Sequence, residues 1–278
     1  MRNRVLFAAA LAPLAVLSPL ASFAAPAPAA APAAASALQP ELVVEGTAFV
    51  LRQPDGSELR GAQLVGAELD LGAGVTVRID AVRADPGDKS GETLLHELST
   101  RGADGTWTPL CDADREGRRE GFPVPGRWDE AGRYHADAGA THFALTCTSG
   151  AQAKCVRFGY KPWKAAVDGA PLAPIYEACV HMVRADYCGD GTPTTRDGTM
   201  IDMYDRHRVQ RSESGPDFDF EAGWAPTGAV CVAHTRIPEN MTLEELAKRC
   251  SRLAGALGTS CTEEAAEKLG AVLFNRSR

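Results

Sequence analysis

From residue 41 to 148 the chain alternates apolar and polar positions in short runs separated by turn signals, the period of half-buried strands. Residues 47–53 and 57–60 flank Pro54-Asp55-Gly56, a proline-initiated turn closed by glycine, and this chemistry predicts a hairpin. Val75, Val77, Ile79 and Ala81 share one face of a strand, with Thr76, Arg78 and Asp80 on the other. Runs at 93–100, 106–111 and 142–147 read the same way. They are bounded by Asp85-Pro86-Gly87, by Gly102-Ala103-Asp104-Gly105 and by a longer Gly-rich loop over 112–139. Within this stretch Ala62-Gln63-Leu64 and Ala67-Glu68-Leu69 repeat at a spacing of five. Two such repeats cannot bury a solenoid core, so a turn-rich edge is expected.

After Ser149 the period becomes helical. Ser149 is placed to cap a helix over 151–158 that Gly159 stops. Leu172, Ile175, Tyr176, Cys179, Val180, Val183 and Tyr187 then fall on one helical face, with Gly189 as the stop. Strand alternation returns at 199–204, and at 218–224 and 229–236 around the turn Ala225-Pro226-Thr227-Gly228. Thr242 with Glu245 forms a capping box for a helix turning Leu243, Leu246, Cys250 and Leu253 inward, and Ser260 with Glu263 repeats the device for a final helix. The expected fold class is α+β. A mainly antiparallel β module (41–148) precedes a disulfide-stabilised α+β module (149–278) with two C-terminal helices.

The N-terminus changes this picture by giving the chain a destination. Arg2 and Arg4 precede an apolar run over 5–20, and Ser22-Phe23-Ala24 sets small residues at a cleavage position, so residues 1–24 read as a secretory signal peptide. Pro13, Ser18 and Pro19 interrupt the run and argue against a retained membrane anchor. No cysteine follows to take a lipid. Residues 25–40 are almost wholly Ala and Pro, a linker that cannot bury a core. With 45% hydrophobic and 23% charged residues over its 278 positions, the chain has the composition of an ordinary folded protein. Its formal charge of −7 and lack of a basic block exclude nucleic acid as a partner.

Export places the eight cysteines in an oxidising compartment, where disulfides are expected for Cys111, Cys147, Cys155, Cys179, Cys188, Cys231, Cys250 and Cys261. No CxxC pair supports a zinc ribbon or a redox site. Nine residues separate Cys179 from Cys188, which puts them on opposite faces of a continuous helix and predicts different partners. Cys250 and Cys261 flank the turn between the two capped helices and are expected to pair with each other. A Cys179–His181 catalytic pair is disfavoured because residues two apart diverge on a helix.

The densest polar segment begins at Arg184 and runs to Asp205. Asp186, Asp190, Gly191 and Asp197 occupy positions 1, 5, 6 and 12 of a helix-loop calcium pattern, which makes calcium the candidate cofactor. Cys188 at position 3, Pro193 within the loop and Asp rather than Glu at position 12 depart from it. Asp186 and Asp190 are alternatively a carboxylate pair for hydrolysis, and otherwise caps of an Asx-rich turn. Glu177, His181 and Arg184 line one helical face and are candidate ligand contacts, as are the rings of Tyr160 and Trp163. His96, His135, His142, His207 and His234 are scattered without metal spacing. GxSxG, Walker A and HExxH patterns are absent.

Arg184-Ala185-Asp186-Tyr187-Cys188-Gly189-Asp190-Gly191 resembles the ADYC domain family of bacterial exported proteins. Trp107-Thr108-Pro109-Leu110-Cys111, Lys154-Cys155-Val156-Arg157, Gly159-Tyr160-Lys161-Pro162-Trp163, Asp197-Gly198-Thr199 and Phe220-Glu221-Ala222-Gly223-Trp224 extend the likeness over about 105–236. The resemblance implies export and a bacterial source, and brings no catalytic residue with it. The expected function is therefore non-catalytic binding in the periplasm or at the cell surface, with a cell-envelope or extracellular ligand and no stable membrane span after cleavage. The alternatives are a hydrolase at Asp186 and Asp190 and a calcium-stabilised extracellular module.

Overall fold

The computed structural model describes residues 40–72, 74–88, 90–128, 134–135, 141–213 and 215–278, so the signal-peptide and linker expectations lie outside the described residues. β1 (Glu41–Glu45), β2 (Ala48–Arg52) and β3 (Glu58–Arg60) form an antiparallel meander, with Val43 opposite Val50 and the expected Pro54-Asp55-Gly56 turn joining the last two strands. β4 (Glu68–Asp70), β5 (Thr76–Ala84), β6 (Leu94–Arg101), β7 (Trp107–Pro109) and β8 (Glu120–Pro125) belong to a second sheet. A short pair, β9 (Arg127–Trp128) and β10 (Tyr134–His135), intervenes before β11 (Phe143–Cys147) closes that sheet in the order β11-β8-β6-β5-β4, with β7 also on β6. Val44, Phe49, Leu64, Leu69, Val77, Ile79 and Leu98 bury one core between these strands. Leu64 and Leu69 are the two repeat leucines. One comes from a single 3₁₀ turn and the other from edge strand β4, so the repeat is an edge device.

α1 (Ala151–Arg157) and α2 (Ala173–Arg184) follow, then β12 (Asp202–Asp205), β13 (Asp219–Ala225), β14 (Gly228–Val232), α3 (Leu243–Arg249), α4 (Glu263–Lys268) and β15 (Leu273–Ser277). The last four-stranded sheet has the order β12-β15-β13-β14, so the C-terminal strand fills its interior. The main core joins Leu95, Phe122 and Val124 of the β-rich half to Tyr160, Tyr176, Cys179, Trp224 and Leu273. Polar ties follow the same path. Arg157 Nε lies 2.6 Å from the buried Asp85 carboxylate, and Lys161 Nζ reaches Asp88 at 2.9 Å and Glu92 at 3.0 Å.

Several terminators differ from expectation. Gly150, not Ser149, occupies the N-cap of α1, and no side chain caps that end. α2 stops at a Schellman turn before Gly189: the Asp186 N–H donates to His181 C=O and the Ala185 N–H to Met182 C=O, with Ala185 left-handed at φ 49°. Ala185 is fully buried, so its methyl is used in packing where glycine would leave a gap. The box Thr242–Glu245 caps α3 as expected, whereas α4 is capped by Thr262 rather than Ser260.

Cys111–Cys147, Cys155–Cys179, Cys188–Cys250 and Cys231–Cys261 are bridged, with Cα separations of 5.5, 5.9, 5.6 and 5.4 Å. Cys179 and Cys188 do take different partners. The expected Cys250–Cys261 pair is corrected, and the reason is tertiary. Insertion of β15 beside β13 draws α4 onto that sheet, where a Cβ on Gly223 would lie 2.4 Å from Ala266 Cβ, and Cys261 arrives against Cys231 of β14. Cys250 is left facing the turn that follows α2. Complete pairing fits an extracellular or periplasmic chain. Among the described residues no helix is long and apolar enough to cross a membrane.

Candidate functional site

The turn after α2 is organised around one carboxylate. Asp186 is buried, and its Oδ1 accepts the N–H groups of Gly189 and Asp190 at 3.0 and 3.2 Å while Oδ2 accepts that of Gly191 at 2.9 Å. His181 bridges the same Oδ2 and the Pro226 carbonyl oxygen, at 2.9 and 3.1 Å, so each ring nitrogen faces an acceptor. Gly189, at φ +70°, lies so close to the β13–β14 turn that a Cβ there would sit 2.0 Å from Thr227 O. Asp190 is held by Arg249 at 2.9 Å and by the Thr192 N–H. Burial tends to raise its carboxyl, but these bonds prevail and hold it low.

Tyr187 turns inward from this loop. Its ring stacks on Trp224 with centroids 5.3 Å apart, and its hydroxyl donates to Glu221 at 2.9 Å and accepts the Arg236 N–H at 2.8 Å. Burial, and then the Glu221 charge, push the phenol far above its ordinary value. Arg236 pairs with Glu221 and donates to Met182 C=O at 2.8 Å, satisfying the C-terminal end of α2. Asn275 donates to Glu221 and accepts from Trp224 Nε1, so the C-terminal strand completes the network.

This scaffold forms one side of a cleft of about 1210 Å³, bounded by α1, the end of α2 and the segments 113–116 and 193–201. Among the described residues six cations line it, Arg115, Lys154, Arg157, Arg184, Arg196 and Arg236, against three acids, Asp114, Glu116 and Asp197. Arg157 and Arg236 are neutralised by the buried Asp85 and Glu221. Asp114 and Glu116 are both engaged by Arg118. Arg196 has an exposed contact with Glu239 at 3.7 Å. Arg115 has no ion pair among the described residues, and Lys154 has Asp197 alone, a fully exposed side chain 4.0 Å away. Arg184 donates to Gly191 O, while its Nε is buried without a partner. Arg115 and Arg184 thus line the cleft with no ion pair among the described residues and Lys154 with a long one, while the single charge of Arg118 leaves one of Asp114 and Glu116 to offset part of their positive charge.

The structure separates the residues that the sequence singled out. Arg184 lines the cleft; Glu177 Oε1 instead accepts the Tyr134 N–H at 2.6 Å, and His181 belongs to the Asp186 turn. Tyr160 is fully buried and donates to Asp205 at 2.9 Å. Trp163 packs on the main core with its ring toward Gly46. Asp186 is buried whereas Asp197 is fully exposed, and among the described residues no three His, Cys, Asp or Glu side chains are grouped to hold a metal ion. Lys154 and Arg157, three apart on α1, carried a helical-face signal, but Arg115, Arg196 and Arg236 come from separate loops and no linear motif joins them to it.

A model of the ADYC domain matches residues 56–238. The chain belongs to the ADYC domain family. The match begins well before the expected residue 105, adding β3 to β6, so the ADYC domain includes the antiparallel sheet as well as the turn. No curated protein and no solved structure matches the chain. In the ADYC domain the signature residues have distinct tasks: Ala185 terminates α2, Asp186 gathers three amides, Tyr187 fills the core and Cys188 is bridged to Cys250.

Proposed function

We propose that this ADYC protein is exported and acts as a non-catalytic periplasmic or cell-surface binding protein whose ligand site is the cationic cleft. The signal-peptide pattern of residues 1–24, the Ala/Pro linker and the complete pairing of cysteines support export. One observation carries the binding reading: six cations, among them Arg115, Lys154 and Arg184, line a cleft with three acids among the described residues, on a chain whose formal charge is −7. Catalysis by Asp186 and Asp190 has less support. The first spends both oxygens on backbone amides and His181, and the second is held ionised by Arg249, whereas a carboxylic acid catalyst needs a raised value.

The test is retention of an envelope component on the immobilised, disulfide-intact chain lacking residues 1–24. Retention should fall as salt rises and should be lost in the double charge reversal Arg115→Glu, Lys154→Glu at unchanged melting temperature. Equal retention by the parent and the reversed chain would show that the cleft is not the site.

A further inference from the structure

The cleft walls hold apolar side chains as well as charges. Phe158, Val183, Pro193, Ile201 and Met200 line it, and Met200 is 65% exposed. Among the described residues no Trp or Tyr lines the cleft, and these are the flat polar-tipped rings that serve as sugar platforms. A free anion would use the guanidinium groups but gains nothing from the apolar wall. A thioether and branched aliphatic side chains suit alkyl side chains, and methionine adapts to several shapes of them. Cations and apolar side chains lining one cleft match a chain that carries both carboxylates and alkyl groups. The volume exceeds that of a usual small-molecule pocket, roughly 300–1,000 Å³, and suits an extended segment of several residues.

We infer that the occupant is an acidic protein segment with interspersed aliphatic residues, its carboxylates on Arg115, Lys154 and Arg184 and its alkyl side chains on Met200 and Ile201. This rests on the cleft being the binding site.

The test uses the disulfide-intact chain and three labelled probes read by fluorescence anisotropy: a peptide alternating Glu and Leu, the same peptide with Gln for Glu, and an oligogalacturonate of similar charge. The Glu/Leu peptide should bind at least about tenfold more tightly than either other probe. Met200→Ser should weaken it without affecting the uronate, and Arg115→Glu with Lys154→Glu should abolish it. Equal or tighter binding of the uronate, lost on charge reversal, overturns the peptide assignment and leaves the cleft as an anion site. Failure of all three probes overturns the assignment as well. In that case loss of envelope retention on charge reversal preserves the binding reading, and unchanged retention removes it too.

Discussion

Arg236 Nη2 lies 3.0 Å from Glu221 Oε1, and this ion pair is closed to solvent on both sides, with side chains 2% and 0% exposed. It joins the strand β13 to the segment after β14 and carries the hydroxyl of Tyr187 on one flank and Asn275 on the other. A buried pair of this kind is costly to split because the partner left behind is an unpaired charge in the core. Glu221→Gln should lower unfolding stability by about 3–5 kcal/mol in urea titration. Tyr187→Phe, which keeps the ring on Trp224 and removes only the hydroxyl, should cost about 1–3 kcal/mol. A Glu221→Gln loss below that of Tyr187→Phe would contradict the central place given to the pair.

Asp186 is predicted to be structural. An asparagine cannot accept from three amides and His181 with two oxygens, since one of those oxygens becomes an N–H₂ group facing donors. Asp186→Asn should therefore cost about 2–3 kcal/mol by the same titration. A catalytic aspartate not needed for folding would leave the midpoint unchanged.

His96 makes the fold acid-sensitive. Burial lowers its value to about 4, against the ordinary 6.5, only partly opposed by a backbone hydrogen bond at Gly121, and its Nδ1 has no partner. Folding thus favours the neutral ring, and below pH 6.5 the unfolded chain binds the proton that the folded chain refuses. Stability is intact above that pH and falls as pH drops from 6.5 toward 4, by about 3 kcal/mol. His96→Gln should flatten this slope in urea titrations at stepped pH. An unchanged slope would assign the acid sensitivity to other groups.

Non-reduced peptide mapping should return 111–147, 155–179, 188–250 and 231–261 as the linked pairs. Replacing Cys155 and Cys179 together by Ser opens a 24-residue separation and should cost about 3 kcal/mol. Recovery of a Cys250–Cys261 peptide would reject the placement of α4 on the last sheet.

Much of the strand pattern was legible because a half-buried sheet writes its two faces into alternate residues, as in Val77 and Ile79 against Arg78 and Asp80. The hairpins at Pro54-Asp55-Gly56 and Ala225-Pro226-Thr227-Gly228, and the cap at Thr242, were equally local. β15 was not read. It is a five-residue strand, Leu-Phe-Asn-Arg-Ser, and it is buried along nearly its whole length, so it shows no alternation; the fully buried Asn275 is tolerated only because Trp224 and Glu221 partner it. The cleft was legible only at Arg184 and, more faintly, on α1.

The sequence by itself therefore determined what short-range physics encodes: the strands and helices with one wet face, the turn residues, and the family signature from Ala185 to Cys188. Tertiary structure alone decided the disulfide partners, the central position of the C-terminal strand, the inward roles of Asp186 and Tyr187, and the gathering of Arg115, Lys154 and Arg184. Those depend on which segments meet across the core, and each such meeting is settled by the burial of all the others at once rather than by neighbours along the chain.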